Sequence, residues 1–148
     1  MAIITIISDY GLKDPFVAAL KGNLYQEIDN PAIEEITHQI PPFNLRETAH
    51  VLNSCYQQFP ERSIHLLCVD EEVTANKKVM VMFFDNHYFV GVDNGLFSLI
   101  YQERKDFELV LVDGVLTEDA NTTREIFVKI AGHLNRGGKM AVLGKKIS

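Results

Sequence analysis

Apolar residues along this chain fall into short dense runs separated by polar turns, and the turns differ in kind from one gap to the next. Ile3, Ile4, Ile6 and Ile7 form a β-branched run too short for a lone helix and too apolar for an edge, which predicts a strand buried on both faces. Ser63 to Val69 and Phe107 to Val112 are runs of the same kind, and Ala32 to Thr37 predicts a further strand. Val79 to Phe84 and Tyr88 to Val92 flank Asp85-Asn86-His87, a strand, turn, strand pattern that predicts a β-hairpin. Helices fit between these runs. The first spans roughly Phe16 to Ile28, with Asp14 as an acceptor for its first amides, Pro15 at the first helical position and Asp29-Asn30-Pro31 as the stop. Asn44 and Glu47 match the capping-box spacing and open a helix whose Leu45, Ala49, Leu52, Cys55 and Tyr56 share one face. A short helix follows Asp93-Asn94-Gly95, from Leu96 to Gln102. Another runs from Arg124 to about Leu134, capped by Thr122 or Thr123 and stopped at Arg136-Gly137-Gly138. No terminal element is predicted for Lys145 to Ser148. Strands alternating with helices, with one hairpin inserted, define an α/β domain over residues 1–148: a mixed, mainly parallel sheet flanked by helices.

All three buried-type strands end in a carboxylate, Asp9 after the first, Asp70 after Val69 and Asp113 after Val112, and the first two are the candidate site residues. In open α/β sheets the rim beyond the carboxyl ends of the strands is where ligands bind. An aspartate following four isoleucines needs solvent or a donor, and a sugar diol offers two hydroxyl donors to one carboxylate; the competing reading is a plain turn cap. Phe43, one residue before the Asn44 cap, is either a hydrophobic staple or an aromatic wall for a ligand. The loop Glu71 to Lys78 is polar and mixed in charge, which equally fits a solvated connection.

Composition narrows the classes. At 148 residues, 47% hydrophobic and 23% charged, the chain suits one globular domain with a sizeable core. A net charge of −6 without a basic run argues against a nucleic-acid surface, and no apolar stretch is long enough to span a bilayer. The first residues lack the basic start and cleavage site of a signal peptide, so a cytoplasmic location is expected. Cys55 and Cys68 are expected as free packed thiols. The five histidines, His38, His50, His65, His87 and His133, form no metal-ligand spacing, and no metal or cofactor is expected. Gly137-Gly138-Lys139 is not a phosphate loop, and no dinucleotide fingerprint follows the first strand.

Five separated stretches together carry more. SDYGLKDPFVAALKG at 8–22, ITHQIPPFNLRETAHVL at 36–52, the strand ending in Val69-Asp70, GVDNGLFSL at 91–99 and REIF at 124–127 resemble the S-adenosylmethionine hydroxide adenosyltransferase family, which includes the SAM-dependent chlorinase and fluorinase. The resemblance implies nucleophilic substitution at the 5' carbon of S-adenosylmethionine (SAM), with methionine as leaving group. By the same resemblance Asp9 grips the ribose hydroxyls, Phe43 lines the SAM pocket, and Asp93 and Asn94 form a DNG turn that is structural or pocket-lining. The family's hydrolases orient the attacking water with an Asp, an Arg and a His. Their Asp corresponds to Asp70.

This chain departs from the family after that point. The usual Pro-Gly-Val-Gly loop is replaced by Glu71-Glu72-Val73-Thr74, Lys77 stands where the Arg is expected, and Thr122 where the His is expected. Lysine keeps the charge but not the planar fork, and a threonine hydroxyl hydrogen-bonds a water without acting as a base. Thr123 resembles the halogenases' halide-binding serine, but carboxylates at 70–72 repel halide, which disfavours a halogenase. The expected activity is therefore an adenosine-forming SAM hydrolase in which Asp70 positions water in line with the 5' carbon and sulfur while Lys77 and Thr122 orient it. The alternative is a SAM- or adenosine-binding module with a degenerate site. Family members also carry a following β-rich domain, absent from these residues, and the resemblance implies a homotrimer in the full-length protein with SAM bound between subunits.

Overall fold

The computed structural model describes residues 2–11, 15–70, 72–73, 78–102, 104, 106–113 and 118–147. Within them a seven-stranded sheet has the order β2-β1-β3-β5-β4-β6-β7, where β1 is Ile3–Ser8, β2 Ala32–Thr37, β3 Ile64–Cys68, β4 Val79–Phe84, β5 His87–Val92, β6 Phe107–Val112 and β7 Gly144–Ile147. The helices are α1 (Phe16–Glu27), α2 (Leu45–Cys55), α3 (Leu96–Tyr101) and α4 (Thr123–Asn135). β1 lies between β2 and β3 and pairs with both in parallel. Ile4, Ile6 and Ile7 are accordingly without exposed surface, and each such side chain contributes about 1.5–3 kcal/mol by leaving water.

The sheet is mixed and mainly parallel in strand direction, as the alternating pattern predicts: β2, β1, β3 and β5 pair in parallel, while β5, β4, β6 and β7 pair antiparallel, so that only β4 and β7 run against the other strands. The hairpin accounts for the change in pairing. β4 inserts between β5 and β6 and runs against both. Its two-residue turn is Asp85-Asn86, both at positive φ (54° and 63°), and His87 belongs to the strand; left-handed residues of this kind match the twist of a tight hairpin. The last strand is a correction. β7 forms on the far side of β6, where Lys145 and Lys146 pair with Leu111 and Val110; an exposed edge tolerates lysines that a periodicity argument reads as tail.

Period-2 alternation divides the core. One apolar cluster joins Ile4, Ile6, Leu66 and Val90 to Leu20 and Leu24 of α1 and Phe127, Ile130 and Ala131 of α4. The other joins Ile7, Leu67, Val69 and Phe89 to Leu52 of α2 and Leu96 and Ile100 of α3. Helix starts follow the sequence closely. Asn44 caps α2 through Glu47 N at 3.0 Å, and Thr122 caps α4 through Glu125 N at 3.1 Å. Pro15 stands one position earlier than predicted, as the residue preceding α1, and Asp14 lies outside the described residues. Cys55 and Cys68 are not joined in a disulfide, as expected, and Cys68 is buried. Among the described residues no helix is long and apolar enough to cross a membrane.

Candidate active site at the carboxyl ends of β1 and β3

The parallel pairing of β1 with β3 brings Ser8 beside Cys68, so the next residues of both strands leave the sheet together. Asp9 Oδ2 accepts from the backbone amide of Asp70 at 3.4 Å and from that of Phe43 at 3.3 Å. One carboxylate thus ties together three chain segments: the exits of β1 and β3 and the turn before α2. Both donors sit at positive φ, 49° for Asp70 and 62° for Phe43, a conformation that is uncommon for side-chain-bearing residues and concentrates at functional loops.

Around this junction Asp9, Tyr10, Phe16, Pro42, Phe43, Asp70 and Glu72 line a hollow of about 350 Å³. Its walls are aromatic: Tyr10 and Phe16 meet edge to face at 5.7 Å, and Phe43 is 69% exposed. That exposure decides between the two readings of Phe43, because a staple would bury the ring against α2. A hollow of similar volume, about 340 Å³, lies over α1 and α4. Size does not separate them; chemistry does, since three carboxyl-bearing residues and three aromatic rings line the hollow over the strand ends, and no aromatic ring lines the one over α1 and α4.

The DNG turn lies just behind. Asn94 Nδ2 donates to the carbonyls of Val69 (3.1 Å) and Asp70 (2.9 Å), while its Oδ1 accepts from Leu96 N (3.1 Å). Asn94 therefore braces the β3 exit from behind. Asp93 is exposed, its amide donates to Lys78 O at 2.8 Å, and it is not among the described residues lining the hollow. Thr122 and Thr123 do not line it either: the Thr122 hydroxyl caps α4, and Thr123 is the first residue of that helix. Lys77 lies outside the described residues. Tyr10, Phe16 and Pro42 of the lining escape sequence reasoning, which marks them only as turn or helix residues. A deeper omission is a buried contact behind Asp9, from Ser8 to His38 Nδ1 at 2.5 Å and from His38 Nε2 to Glu35 at 2.9 Å.

An open α/β sheet with acidic and aromatic residues gathered beyond the ends of adjacent parallel strands places the chain among α/β domains of the kind in which small molecules are seated at that rim. The chain belongs to the SAM hydroxide adenosyltransferase family: residues 4–144 match the model of its N-terminal domain. It is 36% identical over 102 residues to the (R)-S-adenosyl-L-methionine hydrolase of Thermus thermophilus, covering 68% of this chain and 39% of that protein. It is 31% identical over 151 residues to the (R)-S-adenosyl-L-methionine hydrolase of Salinispora tropica, covering 97% and 57%. An uncharacterized conserved protein from Thermotoga maritima shares the fold, with a TM-score of 0.89 and 28% identity over 99% of this chain and 58% of that one. The chain thus spans less than two thirds of the length of each of these proteins.

Proposed function

We propose that this domain forms the ribose- and water-binding side of an adenosine-forming SAM hydrolase. The observation that carries the reading is the convergence of Asp9 and Asp70 on one aromatic-walled hollow. SAM presents a sulfonium cation, a ribose diol and a flat base. Carboxylates attract the first and accept from the second, and aromatic faces suit both the base and the cation. In the reaction a water oxygen forms a bond to the 5' carbon as the carbon–sulfur bond breaks, and the bonding pair leaves on sulfur to give neutral methionine. Water's second proton passes to Asp70 or to solvent. Asp9 holds the ribose, Asp70 aims the water, Phe43 walls the nucleoside, and Lys77 supplies positive charge near the water; such alignment is worth several kcal/mol of barrier, on the order of that in intramolecular reactions. Charge conversion on sulfur makes geometry and exclusion of bulk water the main requirements.

The hollow is open on this domain alone, which favours completion by chain beyond these residues or by a neighbouring subunit, and a homotrimer is the assembly proposed for the full-length protein. Analytical ultracentrifugation tests that assembly. The cell interior is the proposed location, in keeping with SAM as substrate.

Incubation of the intact protein with SAM should yield adenosine and methionine in equal amounts, read by liquid chromatography. Asp70→Ala should lower the rate by about 100-fold or more with the melting temperature little changed. A folded, intact wild-type protein that forms no adenosine would end the hydrolase reading. One observation favours a second reading, a nucleoside-binding module without turnover: Thr122 is engaged at the α4 cap and does not line the hollow. Saturable SAM or adenosine binding by calorimetry, weakened in Asp9→Ala and unaccompanied by product, would select it.

A further inference from the structure

The motif ITHQIPPF contains a histidine to which no role in the reaction has so far been given. His38 is 7% exposed and Ser8 is fully buried, and both are tied into a chain that runs from the protein surface to the residue beside Asp9. Lys21 Nζ on α1 lies 3.2 Å from Glu35 Oε2 on β2; Glu35 Oε1 lies 2.9 Å from His38 Nε2; and His38 Nδ1 lies 2.5 Å from Ser8 Oγ. Ser8 Oγ also accepts from the amide of Tyr10 at 3.3 Å. Parallel register makes this possible, since Ile7 on β1 pairs with Thr37 on β2 and the following residues, Ser8 and His38, leave the strands side by side.

The partners assign the protons. The His38 and Lys21 contacts hold the Glu35 carboxyl below the usual carboxylate range, so it accepts from Nε2–H of His38. In the neutral ring Nδ1 is then an acceptor, and the Ser8 hydroxyl donates to it. Its remaining oxygen lone pairs face the Tyr10 amide, which fixes the peptide plane between Asp9 and Tyr10. The order serine, histidine, glutamate is that of a nucleophilic triad, but a serine with no exposed surface and both hydroxyl roles occupied is closed to substrate. Two backbone bonds run alongside, Gly11 N to His38 O at 2.7 Å and Ile40 N to Ser8 O at 3.3 Å. The exits of β1 and β2 are clamped together immediately behind the Asp9 carboxylate, whose own bonds run forward to Phe43 and Asp70.

We propose that His38, held in one tautomer by Glu35 and acting through Ser8, is a positioning residue that presets the Asp9 carboxylate for the ribose diol. The inference rests on the hydrolase reading above. A carboxylate that holds the ribose equally before and during displacement contributes uniform binding, so loosening it raises KM and leaves kcat in place. A side chain that served stability alone would lower the melting temperature and the active fraction, and KM would stay unchanged.

Steady-state kinetics with SAM on the intact protein separate these roles. His38→Leu and Ser8→Ala should each raise KM about tenfold with kcat within about twofold of wild type. His38→Asn, whose amide oxygen replaces the Nδ1 acceptor, and Glu35→Gln, which still accepts from Nε2–H, should recover most of the loss. In an Asp9→Ala background, where no carboxylate remains to be positioned, His38→Leu should add less than about twofold; such non-additivity is the mark of two residues acting as a unit. Wild-type product formation with a KM that His38→Leu leaves unchanged, or an undiminished tenfold effect in the Asp9→Ala background, would overturn this inference alone. Absence of product from folded wild type would remove the hydrolase reading and this inference with it. Should His38→Leu fail to fold, Ser8→Ala and His38→Asn carry the same comparison.

Discussion

Asn94 makes three hydrogen bonds with one side chain, two of them to carbonyls of the β3 exit. Asn94→Ala leaves those carbonyls and the Leu96 amide without this partner and should cost about 2–3 kcal/mol, measured by urea unfolding, because abandoned polar groups incur their full desolvation penalty. The same substitution frees the Asp70 backbone, so turnover should fall along with stability. Asp9 and Asp70 were legible in the sequence because each follows an apolar run, and strand polarity alone puts such residues at one rim. The Ser8–His38–Glu35 chain was not. Ser8 and His38 are 30 positions apart, and nothing in either stretch states the register that makes them neighbours. Phe43 stayed ambiguous for a related reason: one position before a cap suits both a buried staple and an exposed wall, and only its 69% exposure distinguishes them.

Single helices and strands were readable because their signals are local. The Asn44 cap follows from spacing, and for α4 the sequence narrows the cap to two threonines, of which Thr122 serves. Thr122→Ala should lower the unfolding free energy by about 1 kcal/mol, checked by chemical denaturation, while Thr122→Ser should retain most of it, since serine presents the same acceptor. β7 was missed because a run of lysines at a sheet edge has no apolar alternation. Gly144 at its start is nonetheless tightly constrained: a Cβ there would collide with the carbonyl oxygen of Leu111 and meet the amide of Asp113 at 2.7 Å. These are backbone atoms of β6 and its end, which cannot swing aside. Gly144→Ala should therefore pry β7 from β6 and cost about 1–3 kcal/mol, the range of overpacking, visible as a lower melting temperature and faster amide exchange in β7.

Across the whole molecule, the rim opposite the candidate site carries a different buried network. Thr5 Oγ1 lies 2.6 Å from His65 Nδ1, and His65 Nε2 lies 3.0 Å from His87 Nδ1. Burial, helped by the neighbouring His87, pushes the His65 imidazole down to about 3; burial also lowers His87, against the pull of Asp85 and Glu61. Both rings are thus neutral in the fold over a range where an unfolded chain, with ordinary histidine pKa near 6.5, binds protons. Stability is undiminished above pH ~6.5 and falls as the pH drops from there toward about 3, because the unfolded state takes up protons that buried His65 refuses. Glu35 and Asp85, whose folded pKa values are depressed, add a loss in the same direction, confined to pH values below the ordinary carboxylate range. Between pH ~6.5 and ~4.5 the slope belongs to the histidines and is bounded by about 1.4 kcal/mol per pH unit for each. Urea midpoints across this interval should decline in wild type and flatten in His65→Gln.

Taken alone, the order of apolar runs, turns and caps determined an α/β domain with a hairpin and aspartates at strand ends, because helix and strand periodicity, capping and chain polarity are properties of neighbouring residues. Tertiary structure decided the rest: that β4 inserts between β5 and β6 and separates the parallel pairings from the antiparallel ones, that Asp9 reaches both Phe43 and Asp70, and that His38 stands behind Ser8. Each depends on which strands lie side by side and in what register. That choice is made by packing two faces of one sheet at once, and no stretch of the chain contains it.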